Sequence, residues 1–389
     1  MNKKKILIIH HRSQYGGAPK SLIENLKFLQ QSKNLEIDII CPFGDVYKRL
    51  SKMKINLIKT YGVPLFDNSN YGYYKNLRWL IILRELYFFL LFYWTLIKIK
   101  KNYDLIHINE ILCFPIIPIL KKKFNTKIVI HQRTKVKKNK SIRIKWMNKI
   151  LEKYVDKIIS IDSVCKDSLN KKLIKKTVII HNSLDSTNIK KQKIKHDKNQ
   201  IIFGFVGQLT DSKGIKKLIY SFLDVLKLYK NIELKIYSPT PQKRILNQIL
   251  SFLKIRSDFY EFYIKEKLYN FKKIKFMGYK KNLNKIFNHI DILIFPNEDH
   301  AIGRPVFEAG FYSTPAIAAY SKKISEYIIH NKTGYTYYPN EKRELKKLIL
   351  NIVKKKKFKS LGKHAFKLSS KNFSLKKNSK KLKDLYLNL

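Results

Sequence analysis

The chain has 389 residues, enough for two domains, and sets 81 Lys and Arg against 28 Asp and Glu, a formal net charge of +53. That balance excludes acidic-tail and halophile-like chains and points to polyanionic partners: nucleic acid, anionic lipid or phosphorylated substrates. With 44% hydrophobic and 13% aromatic residues the chain can bury real cores, which excludes a disordered polycation. All but ten of the cations are lysine, and Ile, Asn and Tyr are abundant, so part of the charge is the compositional bias of an AT-rich genome.

The chain opens on a basic stretch and the apolar run Ile6–Ile9, which ends at His10, His11 and Arg12. Four apolar residues are too few for a secretory leader, so the run reads as a strand, and the histidine pair at its end reads as structural. Gln14-Tyr15-Gly16-Gly17-Ala18-Pro19 follows. Paired glycines let a ligand approach the backbone, and Pro19 suits the first turn of a helix whose free N–H groups favour an anion. The plain alternative is an ordinary glycine turn. Pro19–Gln30 then places Leu22, Leu26 and Leu29 on one helical face. Short apolar runs at Ile37–Cys41, Leu105–Ile108, Ile128–Ile130, Ile158–Ile161 and Val178–Ile180 suit buried parallel strands.

Between them lies Leu77–Ile97, long enough to cross a bilayer at roughly 20 residues. Arg78, Arg84 and Glu85 interrupt it, and its uninterrupted part, Tyr87–Ile97, has 11 residues. Charges at mid-bilayer are costly. The expectation is a helix packed within the first domain. The second reading is a helix lying at a membrane interface, with Trp79, Tyr87, Tyr93 and Trp94 as belt residues and Lys98, Lys100, Lys101 and Lys121–Lys123 as basic flanks.

Residues Asn182–Asn199 are polar and Lys-rich and read as a linker. A second strand–helix series follows at Ile201–Val206, Leu234–Tyr237, Ile274–Met277, Ile292–Phe295 and Ala316–Ala318. This alternation predicts parallel sheets covered by helices, with ligands at the carboxyl ends of the strands. Two such domains joined by a linker imply a cleft. Phe205 to Gly214 leads from a strand into a helix, and Lys213 would stand where a cation and free N–H groups make a diphosphate cradle. A solvated surface lysine is the alternative. In the run Phe295 to Ala309 a strand ends, a polar loop follows and a helix starts near Arg304-Pro305. Glu308 in its first turns can accept two hydrogen bonds from a vicinal diol such as a ribose. The alternative is a surface charge favoured by the helix dipole. The Lys-rich tail Ser360–Leu389 reads as helical, with Phe373, Leu382, Leu385 and Tyr386 as anchors.

Cys41, Cys113 and Cys165 are scattered without C-x-x-C spacing, which fits neither a disulfide framework nor a zinc site and suits a reduced cytoplasmic setting. No D-x-D triplet, H-E-x-x-H, G-x-S-x-G or P-loop occurs.

Taken in order, these motifs resemble the retaining glycosyltransferases of group 1 (family 4, GT-B fold), over nearly the whole chain. Gly16-Gly17-Ala18 resembles the family's N-terminal GG-A loop, Asp104 to Asn109 its D-x-x-H-x-x strand, and Ile128 to His131 its strand ending in His. His181-Asn182 to Asp185 is similar to its N-G-V-D segment. Val206-Gly207-Gln208-Leu209 with Lys213-Gly214 resembles V-G-R-L-x-x-x-K-G, and Gly303-Arg304-Pro305 to Glu308-Ala309 the core of E-x7-E. Pro315, Glu326, Thr333-Gly334 and Asn372-Phe373-Ser374 followed by Tyr386 match its later landmarks.

The resemblance implies an α/β architecture of two Rossmann-like parallel-sheet domains facing across a cleft. An N-terminal acceptor-binding domain would span 1–190, a nucleotide-sugar-binding domain 191–370, and a C-terminal helix, 371–389, would return to the first domain. It implies that Glu308 binds the nucleotide ribose and that Lys213 neutralises the diphosphate and assists its departure. Gly16 and Gly17 would offer N–H groups, and His131 would contact the donor sugar. The backbone of Ala301, Ile302 and Gly303 would hold sugar hydroxyls. Two positions depart from the pattern: His300 stands where the first Glu of E-x7-E belongs, making it a candidate for sugar-hydroxyl recognition and catalysis, and Gln208 replaces an Arg of the phosphate site, with Arg304 or Lys216 as candidate substitutes. A third departure is Ser238-Pro239, where the family usually has glycines at the base pocket.

The expected reaction is transfer of a sugar from a nucleotide-sugar donor, with retention, to a glycan or lipid-linked acceptor in cell-surface polysaccharide or glycoconjugate synthesis. No metal and no cofactor are expected, the nucleotide-sugar being a substrate. The expected location is cytoplasmic, with peripheral contact at the inner face of an anionic membrane as a separate reading. The competing readings are a nucleic-acid-binding basic protein and a catalytically inactive scaffold of the same fold. Against nucleic acid, the lysines are spread along the chain and no RRM, KH, helix-turn-helix or zinc-finger pattern occurs.

Overall fold

The computed structural model describes residues 3–68, 79–137, 141–193, 197, 199–243, 245–252, 259–297, 302–320, 324–339, 343–356 and 358–389. The chain divides into two compact units, one of Met1–Asp185 with Phe373–Leu389, the other of Ser186–Asn372.

The first unit holds strands β1 (Lys4–Ile9), β2 (Leu35–Pro42), β3 (Asn56–Thr60), β4 (Leu105–Ile108), β5 (Lys127–Gln132), β6 (Lys157–Ser160) and β7 (Thr177–Ile179). They form one parallel sheet in the order β3-β2-β1-β4-β5-β6-β7. Both faces are buried, which is why the central strands are apolar without alternation. Ile6 and Ile8 face the helix Gly17–Leu29 through Leu22, Leu26 and Leu29. Leu7 and Ile9 face the opposite cluster with Phe92, Phe114 and Met147.

The second unit holds β8 (Ile201–Val206), β9 (Ile232–Tyr237), β10 (Ile274–Phe276), β11 (Ile292–Phe295), β12 (Ala316–Ala319) and β13 (Gly334–Tyr337). Its parallel sheet runs β10-β9-β8-β11-β12-β13. The helix Ile215–Leu228 buries Ile215, Leu218, Ile219, Phe222 and Val225 against it, one stripe at helical spacing. In both sheets the order of connection reverses in the middle, between β1 and β4 and between β8 and β11. At such a reversal the two flanking loops leave in opposite directions and open a crevice beyond the strand ends.

The tail forms two helices, Lys359–Asn372 in the second unit and Leu375–Leu387 in the first. The last helix lies on the face shared with Gly17–Leu29. Leu382 and Tyr386 are buried there, Ser379 donates to Asn25 Oδ1 at 2.7 Å, and the Tyr386 hydroxyl meets His107 Nδ1 at 2.5 Å. Where the chain leaves and re-enters this unit, the two passes touch: the Leu184 N–H donates to the Phe373 carbonyl at 3.0 Å.

One expectation changes. Residues 186–193 are not a free linker, because Lys193 is inserted into the second unit, its Nζ 2.7 Å from the carbonyls of Phe287 and Ile290 and from Thr314 Oγ1. Burial lowers its pKa to about 8. The apolar stretch does form a helix, Leu80–Ile97, packed in the first unit as expected but along one side only, with Glu85, Phe92 and Leu96 buried.

Tyr386→Phe leaves His107 Nδ1 without its buried partner. Chemical denaturation should show a loss of roughly 1–2 kcal/mol.

Candidate active site

In the second unit the loop after β8 descends through the exposed Gln208 into a short turn, Asp211–Lys213, and then Gly214. Gly214 has φ +67°, the left-handed region, and a Cβ there would come closer to the Pro296 carbonyl oxygen than any real Cβ does. Glycine is therefore required twice over, by conformation and by contact. The contact sets the β8 loop directly on the loop after β11. Lys213 is half-buried beside it, with Nζ 6.0 Å from the centre of the Phe295 ring. It makes no ion pair among the described residues, and burial pushes its ammonium below the usual lysine range.

The same ring receives the other loop end. A Cβ on Gly303 would stand 2.5 Å from Phe295 Cζ. Gly303 caps the helix Arg304–Phe311, with Pro305 in its first turn. Phe295 thus brings Lys213 and Gly303 to one place, with Ile302 buried alongside. Glu308 is buried one turn on and accepts from Arg304 Nε at 2.9 Å. Arg304 is thereby engaged with a carboxylate, and Lys216 is engaged with Asp211 at 2.9 Å. His300 and Ala301 lie outside the described residues.

Polar groups gather at neighbouring strand ends, among them Ser238 of the expected base pocket and two, Asn297 and the Tyr237 hydroxyl, that the sequence did not single out. The Asn297 side chain is buried with neither amide atom partnered among the described residues. The Tyr237 and Ser238 hydroxyls at the end of β9 are in the same condition. Buried polar groups are nearly always paired, so three unpaired ones at the ends of β9 and β11 suit a polar ligand or ordered water.

The first unit has its own polar cluster, at the ends of β1, β4 and β5. His131 is buried, with its ring 5.6 Å from that of His107. Arg133 binds Asn109 Oδ1 at 2.7 Å, Asn182 Oδ1 at 3.0 Å and His131 Nδ1 at 3.3 Å. A guanidinium only donates, so His131 Nδ1 accepts and the ring proton sits on Nε2. The same logic applies to His10, whose Nδ1 accepts from Asn109 Nδ2 at 2.9 Å. The Nε2 atoms of His10, His107 and His131 are buried without a partner among the described residues. Gly17 begins its helix and Gly16 caps it with φ −169°, an extended conformation open to any residue; among the described residues no atom beyond its chain neighbours lies within 4 Å of where a Gly16 Cβ would be. Gly16, Gly17 and His131 belong to this unit, while Gln208, Lys213, Ile302, Gly303, Arg304 and Glu308 belong to the other. Arg133 and His10 were not anticipated as cluster members. Among the described residues no group of three His, Cys, Asp or Glu is arranged to share a metal ion.

Residues 186–368 match the family described as glycosyl transferases group 1. An uncharacterized glycosyltransferase of Methanocaldococcus jannaschii is 25% identical over 297 residues, covering 72% of this chain and 76% of its own. Among solved structures, Anabaena HepE in complex with UDP and glucose matches with a TM-score of 0.71 at 16% identity, over 99% of this chain and 100% of that one. A glycosyltransferase of Rickettsia africae matches with a TM-score of 0.68 at 19% identity, over 99% of this chain and 98% of its own. The shared architecture is GT-B.

The buried imidazoles make stability pH-dependent. Burial lowers His10 and His107 from 6.5 to about 3, and His131 in the same direction. The folded domain therefore binds fewer protons than the unfolded chain below pH 6.5, and stability is lost as pH falls from there toward 3. Glu110, raised by burial from 4.5 to about 7, acts in the opposite sense, one group against four, since burial lowers His11 as well. Calorimetry should find the first domain melting on the order of 5–10 °C lower at about pH 5 than at about pH 7.5. His10→Gln should flatten that dependence.

Proposed function

We propose that the protein, whose residues 186–368 match the glycosyl transferases group 1 family, is a glycosyltransferase that moves a sugar from a nucleoside-diphosphate donor, with retention, to a glycan or lipid-linked acceptor in cell-surface polysaccharide or glycoconjugate synthesis. The observation that carries the reading is Lys213, a half-buried cation without an ion pair among the described residues, held at the β8 and β11 strand ends by the Gly214–Pro296 contact. Anabaena HepE was solved with UDP and glucose and also with UDP-glucose, which makes UDP-sugars the first donors to screen. Three buried, unpaired cysteines accord with a reducing, cytoplasmic setting.

In the proposed reaction the bond between the anomeric carbon and the diphosphate oxygen breaks, and the diphosphate leaves with the electron pair. The acceptor hydroxyl oxygen forms the new bond and gives up its proton to the departing diphosphate. Charge accumulates on the leaving oxygen, and a fixed cation there lowers the barrier most. With Gln208 neutral, and Arg304 and Lys216 each bound to a carboxylate, Lys213 would carry that task without a metal ion. Glu308, steadied by Arg304, would receive the ribose hydroxyls. His131 would offer Nε2–H to the sugar, in the tautomer Arg133 imposes. Gly16, with open space where a side chain would be, would let the donor reach the backbone.

Release of nucleoside diphosphate from a donor panel, measured in EDTA, tests this. Lys213→Ala should cut turnover by roughly 10²–10³-fold with an unchanged melting curve. Glu308→Gln, which keeps an acceptor for Arg304, should also abolish most turnover. Parental rates in both would remove these residues from the site, and donor binding without any turnover in the parent would mark an inactive scaffold. NMR of the product should show the donor's anomeric configuration; the opposite anomer rejects retention.

A further inference from the structure

The helix Leu80–Ile97 is tied down along one side only. Glu85 accepts the Leu65 N–H at 2.9 Å, Phe88 occupies the space a side chain on Gly62 would need, and Thr95 Oγ1 donates to Thr60 Oγ1 at 3.0 Å. Phe92 and Leu96 are buried in the first unit's core. These attachments recur from residue 85 to residue 96, so the helix lies along the domain for most of its length.

The other side is open. Leu83, Leu86, Leu90 and Trp94 are 55%, 58%, 58% and 63% exposed, with Tyr87 and Tyr93 beside them. At 3.6 residues per turn the exposed apolar residues cover an arc of about 140° with no charge in it. Arg84, at its border, is paired with Glu85. A continuous apolar face of this kind on a soluble domain marks an interaction surface.

The surrounding charge selects the occupant. Lys98 and Lys100 follow the helix, both exposed and without an ion pair among the described residues. Lys59, beside Thr60, lies 4.8 Å from the ring of Phe43 and 5.4 Å from that of Tyr61, and both rings are themselves exposed. A second copy of a chain of net charge +53 would bring like charge to like. An anionic bilayer meets both requirements, with hydrocarbon for the leucines, the interfacial zone for tyrosine and tryptophan, and headgroups for lysine.

We propose that the outward face of Leu80–Ile97 seats the first domain on an anionic phospholipid bilayer, lying in the interface without crossing it. The proposal is independent of the transfer chemistry, and its test does not read activity. Full-length protein is floated with vesicles of phosphatidylcholine alone or with about one third phosphatidylglycerol. Recovery should be at least roughly tenfold higher on the anionic vesicles. Leu83→Ser, Leu86→Ser and Leu90→Ser combined leave the charge unchanged and should lower that recovery roughly tenfold. Should the triple variant melt earlier than the parent, Trp94→Ser takes its place, with a severalfold loss expected. Flotation of a well-folded variant equal to the parent would mean that lysines alone hold the protein, and the proposal fails. It also fails if the parent is recovered equally on both vesicles or on neither, or if ultracentrifugation shows a dimer that the variant dissolves while vesicles recover nothing.

Discussion

A single steric constraint organises the second domain's candidate site: residue 214 must approach the Pro296 carbonyl more closely than any side chain allows, and must do so at φ +67°. The loops after β8 and β11 come from strands that are neighbours in space but separated in the chain by two further strands and the helices between them. Their strand pairing sets the distance between them; the glycine contact sets their register. Lys213 takes its place one residue before that contact, and Gly303 takes its place against Phe295, one residue before Pro296. A substitution at Gly214 would therefore displace a cation and a helix start together. The ion pair of Glu308 with Arg304 adds a second fixed point on the helix that follows.

What is legible in the sequence follows from how local each signal is. The central strands are continuous apolar runs because both faces of a parallel sheet are covered, and they stand out. β3 and β13, both at sheet edges, mix polar and apolar residues and go unread. The Lys213-Gly214 and Gly303 to Glu308 motifs are each contained in one loop and one helix start, so they too are readable. Arg133, His10 and Asn109 come from three strands and meet only when the sheet forms; nothing in their linear order joins them. An apolar run such as Leu80–Ile97 declares a helix but not which of its faces the domain will cover.

The large positive charge divides into distinct physical uses. Lys193 serves as a staple, its ammonium bound to two backbone carbonyls and a threonine. Lys101 joins Glu36 and Asp38, and Lys346 joins Asp224, ordinary pairs that use up scarce acids. Lys213 is different in kind, a cation embedded where strand ends leave polar groups unpaired. The remaining lysines raise the potential of the whole surface, and that potential matters most where it borders uncovered apolar residues.

The path of the last helix has a consequence for how the chain is made. Residues 186–372 form a continuous unit that can fold as soon as it has emerged. The first domain cannot do the same, because Phe373, Leu382 and Tyr386 fill its core from the far end of the chain. Until residues 373–389 have been made, His107 has no tyrosine and the face of Gly17–Leu29 has no cover. The domain synthesised first is thus the one completed last, and a product cut short by even one helix would leave it, rather than its neighbour, dependent on chaperones.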